Sequence, residues 1–256
     1  MSSPATLPVA TKASTQDLAK AAASPAKDSV FQLLYFPLNG RSELIRNLLA
    51  YGAVNWEELP VDWPTQKPLV PFQVAPVLYE RTSVTTEGSS APIVLEIAES
   101  QAIERYLGQK FNLLGGNIWE EHLVNRYFQS TDVLLQAFAQ QIVGAAPEAR
   151  VDAATKFYAE TLAKWIQIHE GHLKANGDKG HYVGQGVTLA DIKTAQVIDR
   201  ILLLVPKGLE NPLSATLTPS LWKVKEQVDS KASLAVWKAS ERYSQLNGNT
   251  KARFGF

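Results

Sequence analysis

Phe31, Leu33, Leu34, Tyr35 and Phe36 form a short apolar run, FQLLYF, closed by Pro37 and Gly40. Its length and aromatic content predict a buried strand over residues 31–36. Residues 41–51 follow with Leu44, Ile45, Leu48 and Leu49 at helical spacing, and Gly52 stands where a helix stops. Residues 56–62 alternate weakly and predict a second strand, parallel to the first through a right-handed crossover. Pro64, Pro68 and Pro71 then mark a loop. Two further strands are expected over residues 76–81 and 93–97, with the polar stretch TSVTTEGSSA (82–91) between them as a connection longer than a tight turn. Residues 100–110 read as a helix.

FNLLGGN (111–117) reads as a linker, and no strand signal returns after it. Helical periodicity covers residues 118–143, 147–175 and 189–205, with shorter helices to about residue 245. The expected architecture is an α/β domain of thioredoxin-like order over 31–110, a linker over 111–117 and an all-helical bundle domain over 118–256.

Residues 1–30 break this pattern. They are rich in Ala, Ser, Thr and Pro, lack the apolar core of a secretory signal and contain no Arg. Composition predicts a disordered tail, with a cleaved transit segment as the alternative. The expected location is cytoplasmic, or mitochondrial if that segment is a transit peptide. Lys plus Arg and Asp plus Glu both total 25, so no global field draws in nucleic acid or an anionic membrane. No apolar run approaches the ~20 residues that span a bilayer.

Cysteine is absent. That excludes disulfides, thiolate metal sites and a C-x-x-C redox pair, the usual chemistry of a thioredoxin-like domain. Any thiol chemistry must use a borrowed thiol. Tyr35 lies at the carboxyl end of the first strand, where such sheets open toward ligands, and Arg41 lies across the following turn. A phenol and a guanidinium can together stabilise one thiolate. A strand-end Tyr is also an ordinary packing residue.

LLYFPLNGRSELIRNLLA (33–50) resembles the opening of the tyrosine-type cytosolic glutathione transferases of the sigma, alpha, mu and pi kind. The resemblance extends over about residues 31–245. It implies glutathione as co-substrate, with no other cofactor and no metal, and Tyr35 and Arg41 as the catalytic pair; Ser42 is the rival hydroxyl. It places glutathione against Trp63, Lys67, Ala75, Pro76, Glu99 and Ser100, with a cis peptide before Pro76 and Ser100 capping a helix. Glu99 stands where many members carry Gln. It implies an apolar electrophile held between the domains, for which Phe36, Leu38, Tyr127 and Leu135 are the candidate walls. It further implies a homodimer, in which Asp132 is a candidate for reaching the neighbouring subunit's glutathione. Thr188 and Asp191, with Val187 and Ile192, have the spacing of the family's helix-capping motif. His169 and His172 share a helical face without an evident third ligand and read as solvated. The implied activity is conjugation of glutathione to apolar electrophiles in detoxification. The alternatives are a non-catalytic binding or scaffold protein and a glutathione-dependent isomerase or peroxidase.

Overall fold

The computed structural model describes residues 6–86 and 89–256. The chain divides into two compact units, Met1–Asn112 and Leu113–Phe256, a division that falls inside the stretch expected to join them.

In the first unit, β1 (Val30–Leu34) pairs parallel with β2 (Asn55–Glu58) and antiparallel with β3 (Val77–Thr86), and β3 pairs with β4 (Ser89–Ala98). The sheet order is β2-β1-β3-β4. Between β1 and β2 runs helix α2 (Glu43–Tyr51), whose residues 43–50 are all buried. A four-residue helix α3 (Trp63–Gln66) lies in the proline-rich loop, and α4 (Ser100–Lys110) follows β4. Gly52 closes α2, and a Cβ there would meet the ring of Phe111 at 2.7 Å.

Two expectations need correction. The polar stretch 82–91 is not a loop: β3 runs to Thr86 and β4 starts at Ser89, in register Thr86↔Ser89, so the added residues lengthen a hairpin. Its tip, residues 87–88, lies outside the described residues. Thr and Ser in alternation suit a two-stranded ribbon as well as a loop, and composition cannot tell them apart.

The disordered tail is also corrected for residues 6–30; residues 1–5 lie outside the described set. Helix α1 (Thr15–Ala23) is capped by Ser14, whose side chain accepts from Asp17 N–H. Its Leu18 and Ala21 pack with Ile93 and Leu95 of β4. The segment is tied down further by a buried polar knot. Glu80 accepts from Ser29 Oγ (2.6 Å), Lys110 Nζ (2.6 Å) and Tyr106 Oη (2.5 Å), while the same ammonium donates to Ala22 O at 2.9 Å. Burial and the Glu80 contact push the Tyr106 phenol well above its ordinary range. Low hydrophobicity predicts disorder only when nothing outside the segment covers it; here a few apolar side chains and polar contacts with the sheet supply that cover.

The second unit is helical: α5 (Ile118–Phe138), α6 (Arg150–Phe157), α7 (Ala163–Ala175), α8 (Leu189–Leu203), α9 (Pro219–Asp229), α10 (Ala232–Lys238) and α11 (Glu241–Phe254). π turns at Ala139–Val143 and Tyr158–Leu162 extend α5 and join α6 to α7. Nearly all of α8 is buried. Thr188 and Asp191 form a closed capping box at its start. A ring of alternating charges, Asp199–Lys225–Asp229–Lys238, ties α8, α9 and α10 together at 2.5–2.6 Å per contact.

Candidate active site

β1 ends at Leu34, so Tyr35 is the first residue beyond the strand, at the carboxyl edge of the sheet. Arg41 lies in a short turn, Gly40–Ser42, ahead of α2 and not in the helix as its spacing suggests. That turn positions the phenol. The backbone N–H of Arg41 donates to Tyr35 Oη at 2.9 Å. Gly40 has φ +47°, and a Cβ there would lie 2.3 Å from Tyr35 Oη and 2.9 Å from Leu38 Cδ1. Glycine is therefore required twice, for the left-handed backbone and for the space the hydroxyl occupies. With a lone pair used by Arg41 N–H, the hydroxyl keeps its proton to donate.

Arg46, to which the sequence pattern assigns no role, holds the loop. Its guanidinium is 1% exposed. It donates to Glu58 Oε1 (2.5 Å), Leu38 O (2.7 Å) and Phe36 O (3.1 Å), and it lies 5.7 Å from the centre of the Tyr35 ring. A fork of donors on two carbonyls and one carboxylate fixes where residues 35–38 can be. A buried Arg one turn into an apolar helix, opposite a strand carboxylate, was the available signal.

Ser42 is fully buried, and its hydroxyl donates to Asn39 O at 3.3 Å. It points into the turn. The side chain of Arg41 is exposed.

The other expected residues lie on two segments of the same unit. Trp63 begins α3, half-buried, with its ring 5.6 Å from that of Phe36 in an edge contact; Phe36 in turn sits 5.5 Å from Tyr35. Gln66 staples this loop: Asp62 N–H donates to its Oε1 (2.8 Å), and its Nε2 donates to Pro60 O (3.0 Å). Lys67 is exposed. The Ala75–Pro76 peptide is cis, just ahead of β3.

Glu99, not Ser100, is the N-cap of α4, a correction by one residue. It has φ +68° and ψ +120°, a conformation that side chains other than glycine rarely adopt. Such backbone costs of order 1–3 kcal/mol and persists where the surroundings impose it, often at ligand sites. It leaves Glu99 exposed and Ser100 buried in the first turn of α4, where N–H groups and the helix dipole favour an anion.

The residues proposed on the helical unit behave differently. Tyr127 is 7% exposed. It stacks on Tyr182 at 4.5 Å, meets His172 edge-on at 5.3 Å and accepts a hydrogen bond from Arg126. This cluster leaves it little surface to line a cleft. Leu38 and Leu135 are half-buried. Asp132 is buried and ion-paired with Lys193 at 2.8 Å, with Gln136 donating to its other oxygen at 2.6 Å, so its carboxylate is engaged within its own unit. His169 is not solvated but 1% exposed, between Ser130 Oγ (3.0 Å) and Tyr182 Oη (2.7 Å) and stacked on Trp165. Burial first, and then the charge of His172, push it down to about 3.

A family model described as "Glutathione S-transferase, C-terminal domain" matches residues 132–241. "Probable glutathione S-transferase 7" of Caenorhabditis elegans is 31% identical over 173 residues, covering 65% of this chain and 77% of the relative. "Hematopoietic prostaglandin D synthase" of Gallus gallus is 28% identical over 211 residues, 81% of this chain and 94% of the relative. Among solved structures, "Fasciola hepatica sigma class GST" superposes with TM-score 0.68 at 24% identity, covering 84% of this chain and 97% of that one. The thioredoxin-like sheet of the first unit and the helical second unit are the fold these comparisons share, and the chain belongs to the glutathione S-transferase family.

Proposed function

We propose that this glutathione transferase activates glutathione at Tyr35 and transfers the thiolate to an apolar electrophile. A free thiol has a pKa of about 8.5 and is only a few per cent ionised at neutral pH. Lowering that by two units takes about 2.7 kcal/mol of preferential thiolate stabilisation. One hydroxyl hydrogen bond to the anion, helped by a guanidinium, is of that size. The observation that carries the reading is the Arg41 N–H contact on Tyr35 Oη, which fixes the hydroxyl at the sheet edge with its proton to give. The exposed Arg41 side chain supplies the second charge.

The tripeptide then lies along Trp63 and Lys67 for its glycyl carboxylate. The Ala75 backbone beside cis Pro76 takes the cysteinyl amide. Glu99 and Ser100 take the γ-glutamyl ammonium and carboxylate. The strained Glu99 backbone and the position of Ser100 in the first turn of α4 support that last placement. Phe36 and Leu38 of the first unit are the proposed apolar contacts for the electrophile. The thiolate attacks its electrophilic carbon, forming a carbon–sulfur bond as the leaving group or π-electron pair departs. Neither a non-catalytic scaffold nor an isomerase or peroxidase is favoured over this reading.

The test is a thiolate ultraviolet titration of the glutathione complex. Tyr35→Phe should raise the bound thiol's pKa by about two units, with activity at pH 6.5 falling about 10²-fold. Ser42→Ala should titrate as the wild type. If the serine variant shifts and the phenylalanine variant does not, the phenol is not the activator.

A two-fold dimer in the cytoplasm completes the proposal. Phe72 is 75% exposed in a left-handed backbone (φ +55°), flanked by exposed Leu69 and Val74, an apolar group suited to a second copy. Phe72→Ser should shift the mass in sedimentation equilibrium from dimer toward monomer; a monomeric wild type refutes the idea. The packed residues 6–30 support a segment that is retained over one that is cleaved. Among the described residues no helix is long and apolar enough to cross a membrane.

A further inference from the structure

The segment ahead of β1 precedes the region of family resemblance, yet it touches the sheet at three places on two faces and one edge. Successive residues of a strand point to opposite faces, so Val94 and its neighbours Ile93 and Leu95 of β4 address different layers. Ile93 and Leu95 receive Leu18 and Ala21 of α1. Val94 lies in the other layer, with Leu7. Between them Thr11 crosses the free edge of β4: its N–H donates to Val94 O at 2.9 Å, and its Oγ1 accepts from Val94 N–H at 2.9 Å. The segment thus wraps around the sheet edge like a strap. Its far end, Leu7, seats on the apolar group Leu34, Val70, Val77 and Tyr79.

Trp63 seats on that same group, together with Leu59, Val61 and Val94. The loop that carries Trp63 has little regular structure of its own. Between β2 and β3 it has one four-residue helix, two three-residue turns, five prolines and two consecutive left-handed residues, Phe72 and Gln73. A loop of this kind is held mainly by the apolar surface on which it rests. Among the described residues of the cluster, Leu7 alone comes from neither the sheet nor that loop.

We propose that the N-terminal strap is a positioning element of the glutathione site: Leu7, clasped to β4 through Thr11, completes the apolar seat that sets Trp63 for the glycyl end of the tripeptide. The proposal rests on the placement of glutathione against Trp63 given above. Leu7 touches no substrate; it acts through the seat.

The test is steady-state conjugation of a generic aryl halide by the full chain at varied glutathione, with glutathione binding by calorimetry. Leu7→Ala should raise KM and Kd for glutathione about fivefold, with kcat at saturating glutathione within about twofold of wild type. Leu7→Met, which refills the seat, should restore both. Thr11→Val, which keeps the N–H but loses the acceptor for Val94, should show a smaller rise of about twofold. Val9→Ala, at a side chain 82% exposed, is the control and should leave both constants unchanged. A double-mutant cycle separates positioning from general destabilisation: Leu7→Ala on top of Trp63→Ala should add less than twofold. If Leu7→Ala melts earlier but binds glutathione as wild type does, the strap is only a structural brace and the proposal is overturned. The same holds if the effects of the two substitutions multiply. Should Leu7→Ala fail to fold, Thr11→Val and Leu7→Met carry the same comparison, and an unchanged KM in Thr11→Val overturns the clasp. A Trp63→Ala protein with ordinary glutathione affinity refutes the placement of glutathione itself, a separate failure.

Discussion

In the first unit, the charged side chains of Arg41 and Lys67 end in solvent without a protein partner among the described residues, and the segments that carry them bend through left-handed backbone at Gly40 and at Phe72 and Gln73. Around Asp191 in the helical unit the opposite holds. Its carboxylate accepts from Tyr182 N–H (2.9 Å), Thr188 N–H (2.7 Å) and Thr188 Oγ1 (2.6 Å), at full burial. Asp132 is satisfied by Lys193 and Gln136, and His169 by Ser130 and Tyr182. The polar groups of these clusters are used up on one another, which specifies a fold; the side chains of Arg41 and Lys67 are left over, which a site requires.

That contrast is broken most severely at Asp191. Asp191→Ala strips the acceptor from two buried N–H groups and a hydroxyl, each worth about 1–3 kcal/mol when orphaned. Unfolding free energy should fall by about 4 kcal/mol, while the protein that remains folded keeps its KM for glutathione. A loss of under about 1 kcal/mol would mean that water or a rearranged loop replaces the capping box. Gly40→Ala should do the reverse. The new Cβ meets the phenol oxygen, so the hydroxyl must move by about an ångström, and displacement on that scale costs about 10²-fold in kcat/KM. Circular dichroism and melting should change little by comparison. Wild-type turnover in Gly40→Ala would place the activating hydroxyl elsewhere.

The same contrast explains what could be read in the sequence. Helix periodicity, Gly52 and the Thr188–Asp191 spacing are local signals, and the elements they predict are present. The strand end and the turn that place Tyr35 are local too. Arg46 was not given a role because its partners, Glu58, Leu38 and Phe36, come from three places brought together only by the crossover. Residues 6–30 lack an apolar pattern of their own and are ordered by Glu80, Lys110 and β4, all distant in sequence. The solvated reading of His169 failed for a related reason: its neighbours Ser130 and Tyr182 lie 39 and 13 residues away, and a polar residue on a helix face carries no sign that another helix covers it.

His169 gives the smallest effect and the sharpest test of whether the helical unit is closed. Its imidazole is held neutral in the fold, down from 6.5 to about 3, while the unfolded chain takes up a proton near 6.5. The unfolded state therefore binds more protons below 6.5, and the stability that His169 supports is complete above that pH and is lost as pH falls toward 3. Asp191 acts with the opposite sign. Burial raises it from 3.8 to about 6, against the pull of its hydrogen bonds and of His181, so its contribution is complete below 3.8 and is lost as pH rises through 6. The two slopes oppose each other over that interval, and the wild-type profile alone cannot separate them. The difference in unfolding free energy between wild type and His169→Gln cancels Asp191 and every other shared group. Measured by urea unfolding, that difference should shrink by about 2 kcal/mol between pH 7 and pH 5, at 1.36 kcal/mol per unit over the titrating range. A difference that does not change with pH would mean that the imidazole is protonated in place and that the Trp165–Tyr182 cluster admits water.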